Sequence, residues 1–138
     1  MDNKALYKLT YGLFLLTARE AGKDNGCIIN TAMQIASNPT RISFAVQKTN
    51  LTHDMILRSG ICNVSSISTT ADFELFRQFG MQSGREADKF AGFGAVSRSE
   101  NGVLYLTEHS NMYISAKVTE DFACELCGVG KEDFSPAE

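Results

Sequence analysis

The stretch "NGCIINTAMQIASNP", residues 25–39, decides the fold. Asn25-Gly26 is a pair in which both residues tolerate positive φ, so it predicts a tight reversal between two strands. Residues 27–37 then read as one strand that stops near Pro39, which cannot donate to a sheet ladder. Before the reversal, "YGLFLLTARE" (11–20) is apolar and β-leaning. After the proline, "RISFAVQKT" (41–49) alternates Ile42, Phe44 and Val46 with polar or small neighbours. The expectation is a three-strand antiparallel meander.

Working outward, Thr52 is the expected N-cap of a helix over "HDMILRS" (53–59), with Asp54 near the positive end of the dipole and Gly60 as the stop. "ICNVSSIS" (61–68) reads as a fourth strand. In "ADFELFRQF" (71–79), Phe73, Phe76 and Phe79 fall at i, i+3 and i+6, which predicts a second helix with an aromatic core face ending at Gly80. "AVSRSENGVLYLTE" (95–108) is a hairpin around Asn101-Gly102, and "MYISAKV" (112–118) is a further strand. Roughly six strands with short loops and two short helices make a mainly β, antiparallel small barrel with helical inserts.

The 138 residues suffice for one core without staples. A net charge of −3 leaves no basic field for phosphate backbones and argues against a general nucleic-acid binder. Of the cysteines at 27, 62, 124 and 127, only the last two are spaced for joint work, a usage that fits a reducing, cytoplasmic setting. Cys27 and Cys62 sit in expected strands as small buried hydrophobes. The apolar "YGLFLLTA" (11–18) is too short to cross a bilayer and lacks a cleavage pattern, so it reads as a buried strand and no membrane partner is expected.

Three polar segments are candidates for a site. Asn30, Thr31, Gln34 and Ser37 crowd the end of a strand, and Lys48, Asn50, Thr52 and His53 lead into a helix N-terminus, where free amides and a lysine suit a phosphate. Ser83, Gly84, Arg85 and Lys89 follow the second helix; Gly84 allows close backbone approach and Arg85 offers a rigid fork of donors. Spacing alone signals an anion site.

In order and spacing, "LTYGLFLLTARE", "NGCIINTAMQIASNP", "VQKTNLTHDMI" and "FGMQSGREADKF" resemble the flavin reductase-like family, which binds FMN in a split β-barrel of antiparallel, Greek-key-like type. The resemblance covers roughly residues 5–118. It implies a homodimer with FMN near the subunit interface, passing electrons between NAD(P)H and rubredoxin or iron. It implies further that Asn30, Thr31, Ala32, Gln34 and Ser37 line the ring system and ribityl chain. Lys48, Asn50, Thr52, His53, Ser83, Gly84 and Arg85 would hold the phosphate end or the flavin edge, and Lys89 would close the pocket. No side chain need act as acid or base, because the cofactor carries the chemistry.

The last residues, "DFACELCGVGKEDFSPAE" (121–138), resemble the second half of a rubredoxin, with Phe122 in place of its usual tryptophan and Glu125 in place of its usual proline. Together the two resemblances point to the high-molecular-weight rubredoxin type and to two parts, 1–118 and 119–138. Cys124 and Cys127 are two of the four thiolates an iron or zinc site needs, so a complete site would have to be shared between subunits. The segment with glycine and histidine that such reductases carry after the "YISAKV" strand is not found, and His109 reads instead as a surface residue near a turn. Slow or absent turnover with NAD(P)H is expected on that ground, and the alternative readings are a non-catalytic FMN-binding module or a metal-binding dimer that uses Cys124 and Cys127.

Overall fold

Four successive buried residues, Leu15, Leu16, Thr17 and Ala18, place the first strand at the heart of the molecule. The computed structural model describes residues 12–71 and 73–120. Among them, in chain order, are β1 (Phe14–Glu20), β2 (Lys23–Ile29), β3 (Ala32–Ser37), β4 (Thr40–Phe44), α1 (Leu51–Ser59), β5 (Ile61–Ser66), α2 (Phe73–Gly80), β6 (Val96–Arg98), β7 (Leu104–Leu106) and β8 (Tyr113–Lys117). The main sheet runs β2-β1-β5-β8 with every neighbour antiparallel, and β3–β4 and β6–β7 are separate hairpins. The architecture is mainly β and antiparallel, as expected.

β1 opens with the apolar run of Phe14, Leu15 and Leu16, and its residues 15–18 are buried on both faces of the strand. Leu16 and Ala18 pack with Cys27, Ile29, Met55, Ile56, Cys62 and Val64 under α1, while Leu15 joins Leu75, Phe79 and Leu106 under α2 and β7. Burial pushes the Cys62 thiol up to about 12, as befits a small core hydrophobe. Cys27 is buried too, and its thiol is likewise raised by desolvation.

Four local expectations are corrected. The reversal lies at Ala21-Gly22 (φ 49° and 79°), not at Asn25-Gly26, which are buried inside β2. A reversal at 25–26 would set Cys27, Ile28 and Ile29 opposite Asp24, Lys23 and Gly22; the observed register sets Leu16 opposite Cys27 and Phe14 opposite Ile29 and so buries both strands. The 27–37 strand breaks at Asn30-Thr31, and β3 pairs with β4 as its own hairpin, so there is no three-strand meander.

The N-cap of α1 is Asn50, whose Oδ1 accepts from Thr52 N–H at 2.9 Å; Thr52 is helical and fully buried. Gly60 closes the helix at φ 77°, donating to Ile56 O. On α2 the core face is Leu75 and Phe79, at i and i+4, with Phe73 65% exposed. The aromatic partners of Phe79 come from beyond the helix, with Phe90 and Phe93 rings 4.8 and 5.1 Å away.

Candidate functional site

A cleft of about 260 Å³ opens between the turn that enters α1 and the turn that leaves α2. Gln47, Thr49, Asn50 and Leu51 form one wall, Gly80 to Gly84 the other, and Lys89 the floor. Each wall is built by short-range chemistry. Asn50 N–H donates to Gln47 O and Asn50 Oδ1 caps Thr52, so residues 47–50 form a tight turn against the positive end of the helix. Ser83 Oγ accepts from Arg85 N–H and Ser83 O accepts from Glu86 and Ala87, which curls the second wall.

The floor is cationic. Lys89 is 2% exposed, and its Nζ donates to Gly26 O at 2.8 Å and to Phe79 O at 2.9 Å. Burial lowers its pKa, with the Cys27 thiol acting in the opposite direction. Among the described residues the partners of its Nζ are carbonyls and not carboxylates, so no paired anion neutralises its charge beside the cleft. Beneath the second wall, Asn25 is 1% exposed; its Nδ2 donates to Thr52 Oγ1 at 2.9 Å, and among the described residues its Oδ1 has no partner. An unpaired buried acceptor costs about 1–3 kcal/mol. Gly84 lies so close above it that a Cβ there would fall 2.3 Å from Oδ1, so only glycine fits.

At the rim, Asp54 joins the two walls. Its Oδ1 meets His53 Nδ1 at 3.0 Å and its Oδ2 accepts from Arg85 Nη2, and these hydrogen bonds, His53 first, hold its carboxyl below the usual carboxylate value. Arg85 itself does not line this cleft; it lines a neighbouring cavity with Lys23, Asp24 and Gly84, and its guanidinium is engaged by Asp54.

The structure brings together the second and third of the polar segments. Asn50, Ser83, Gly84 and Lys89 line the cleft, Thr52 is buried behind it, His53 and Arg85 meet through Asp54, and Lys48 is exposed between two lining residues. Asn30, Thr31, Ala32, Gln34 and Ser37 do not line it; they lie along the β3–β4 hairpin and the loop before it. His109 is exposed, with Nδ1 3.1 Å from Thr70 Oγ1. Cys124 and Cys127 lie outside the described residues, and among those described no three metal-ligating side chains gather. Sequence reasoning missed Gln47, Thr49, Gln82 and above all Asn25. For Asn25 the available signal was a polar residue two positions from Cys27, on the same face of an apolar strand.

The donor set fits a phosphorylated ligand on this structure's own terms: a buried cation, a helix N-terminus, a ring of hydroxyl and amide groups, and a glycine with no room for a Cβ. The volume falls below the ~300–1,000 Å³ of pockets that engulf a whole ligand, so it suits one polar end of a larger molecule.

This mainly β, antiparallel fold with a phosphate-type cleft defines a class, and comparison with known proteins identifies it. The chain belongs to the flavin reductase like domain family, which matches residues 6–129. It is 41% identical over 120 residues to a high molecular weight rubredoxin of Moorella thermoacetica, an alignment covering 87% of this chain and 52% of that protein. It is 34% identical over 130 residues to a ferric-chelate reductase (NAD(P)H) of Archaeoglobus fulgidus, covering 94% of this chain and 73% of the relative. The chain thus spans about half the length of the first relative. Among solved structures, flavoredoxin from Methanosarcina acetivorans superposes with a TM-score of 0.72 at 21% identity, over 83% of this chain and 60% of the other. An FMN-binding protein from Thermus thermophilus gives 0.71 at 21% identity, over 83% and 62%. The fold is the split barrel of flavin-binding proteins.

Proposed function

We propose that the chain is an FMN-binding oxidoreductase module that takes electrons from NAD(P)H and delivers them to a rubredoxin-like or ferric acceptor. Membership of a flavin reductase family supports the flavin, and the names of the two relatives support the donor and the acceptors. The observation that carries the reading is the buried, uncompensated Lys89 cation under a cleft at the N-terminus of α1, a place where a phosphate gains and a neutral polyol does not.

In this reading Asn50, Ser83 and Gly84, with Lys48, Thr52, His53 and Arg85 around them, bind and orient the phosphate end. Lys89 supplies charge from below, and does so without leaving its two carbonyls. Asn30, Thr31, Ala32, Gln34 and Ser37, on β3 and the loop before it, are assigned to the ribityl chain and ring by the family resemblance. Bound FMN supplies the two-electron chemistry, and the protein supplies position, hydrogen bonds and access.

The reading includes a homodimer. Met33 and Ile35 on β3 are 59% and 60% exposed, and β8 stands at the end of the main sheet with Met112, Tyr113 and Ile114 exposed, surfaces that suit a second copy. It also includes residues 119–138 as a rubredoxin-like part, in which Cys124 and Cys127 would hold iron or zinc together with two further thiolates. Sedimentation at micromolar concentration tests the dimer; a stable monomer refutes it.

The main test is spectroscopic. The purified chain mixed with FMN is expected to retain it through gel filtration, turn yellow and bleach under NADH without oxygen. Failure to retain flavin overturns the proposal, and retention without bleaching leaves a flavin-binding module that does not turn over.

A further inference from the structure

The two walls of the cleft meet on one side chain. Thr52 belongs to the first turn of α1 and Gly84 to the turn after α2, and Asn25 on β2 touches both. It donates to Thr52 Oγ1, and its carboxamide packs against Gly84 with atoms 2.3 to 2.6 Å from where a Cβ would stand. Two residues earlier on the same face of β2, Lys23 Nζ donates to Gly84 O at 3.1 Å and holds the turn down on the asparagine. Among the described residues one end of the Asn25 amide is paired and the other is not, although the group is sealed from solvent. Buried side-chain polar atoms are as a rule satisfied, so the open end of this amide calls for an account.

We propose that Asn25 is a positioning residue: it sets the separation between the start of α1 and the Ser83–Arg85 turn, and through that separation the preference for a ligand ending in phosphate. An anion gripped by two arcs of donors is sensitive to displacements of about 0.5 Å, because each bond weakens steeply with distance and angle. A riboflavin-type ligand, lacking that anion, does not feel the spacing. The inference rests on the reading that this cleft takes the phosphate end of FMN.

Fluorescence titration of the full chain, stripped of flavin, with FMN and separately with riboflavin reads the effect directly, since the two differ only in the phosphate. Asn25→Ala is expected to reduce the FMN-over-riboflavin preference about tenfold, the scale of one well-placed hydrogen bond, while riboflavin affinity moves less than about twofold. An unchanged preference overturns the inference, and so does an equal loss for both ligands, which marks general loosening. Gly84→Ala, whose Cβ collides with the amide, is expected to lose the same preference, and adding Asn25→Ser is expected to restore most of it. Should Asn25→Ala fail to fold, that recovery decides, and its absence overturns the inference. A wild-type chain that binds FMN no better than riboflavin sinks the phosphate reading itself; a wild-type preference that survives Asn25→Ala sinks only the role of Asn25.

Discussion

Two buried asparagines, one on each strand flanking β1, do opposite things. Asn63 on β5 is fully satisfied: its Nδ2 donates to Ser99 Oγ at 2.9 Å and to Val103 O at 3.0 Å, and its Oδ1 accepts from Asn101 Nδ2 at 3.2 Å. With Thr17 Oγ1 donating to Leu104 O at 2.6 Å, it stitches the β6–β7 hairpin onto the main sheet. Asn25 on β2 has one partner and an orphaned oxygen beneath the cleft. The difference teaches how to separate a structural polar cluster from a functional one: the first closes on itself, and the second tolerates an unmet bond to hold something beside it in place.

The sharpest way to break this contrast is Asn63→Ala. It removes the bonds to Ser99 Oγ, Val103 O and Asn101 Nδ2, each worth about 1 kcal/mol, so a loss of roughly 3 kcal/mol is expected in urea unfolding, with flavin affinity little changed. A cost below about 1 kcal/mol would remove the contrast. Next in size is Lys89→Met, expected to weaken FMN binding by about tenfold or more, since a charge-assisted partner for the phosphate disappears.

Lys89 also predicts a pH dependence with two signs. Its folded pKa lies below the ordinary 10.5, so between the folded value and 10.5 the unfolded chain binds the extra proton, and stability rises with pH across that window. FMN affinity falls over the same window as the floor loses its charge. Urea and fluorescence titrations compared with Lys89→Met should show both trends in the wild type and neither in the variant.

Asn25→Ala comes third, with an expected loss of only about 1 kcal/mol of stability, because the truncation also removes an unpaired acceptor. A loss as large as that of Asn63→Ala would show that the two asparagines play the same part. The smallest effect belongs to Asp24, which accepts from Arg98 through both oxygens and from Arg19 at 2.9 Å. Burial raises its pKa, but the bonds from Arg98 and Arg19 outweigh that and hold it below 3.8. Its contribution is therefore complete above pH 3.8 and lost as pH falls through the folded value, and the partly exposed site keeps it under about 1 kcal/mol. Acid unfolding of Asp24→Asn should lack that part of the slope.

Much of the fold was legible in the residues. The apolar run at 14–18, the glycine stop at 60, the hairpin at Asn101-Gly102 and the strand over 113–117 all follow from local pattern and local chemistry. Two of the three polar segments meet in one cleft, and the helix N-terminus and glycine-bearing turn that mark them in the sequence suit the anion proposed above. The reversal was not legible. Asn-Gly has a stronger turn preference than Ala-Gly, and the choice between them was made by what each register buries along the whole of β1. The aromatic face of α2 failed likewise, because the face that turns inward depends on where β2 lies.

By itself, then, the sequence determined the kinds of strand and loop, the polar character of three of the loops and the resemblance to a flavin-binding family. Only the tertiary structure decided that Asn25 leaves the turn it resembles and lies under Gly84, that Lys89 is a buried floor, and that β3 departs from the main sheet. The reason is physical: local preference is a property of neighbours in the chain, whereas register and burial are sums over partners far apart in it.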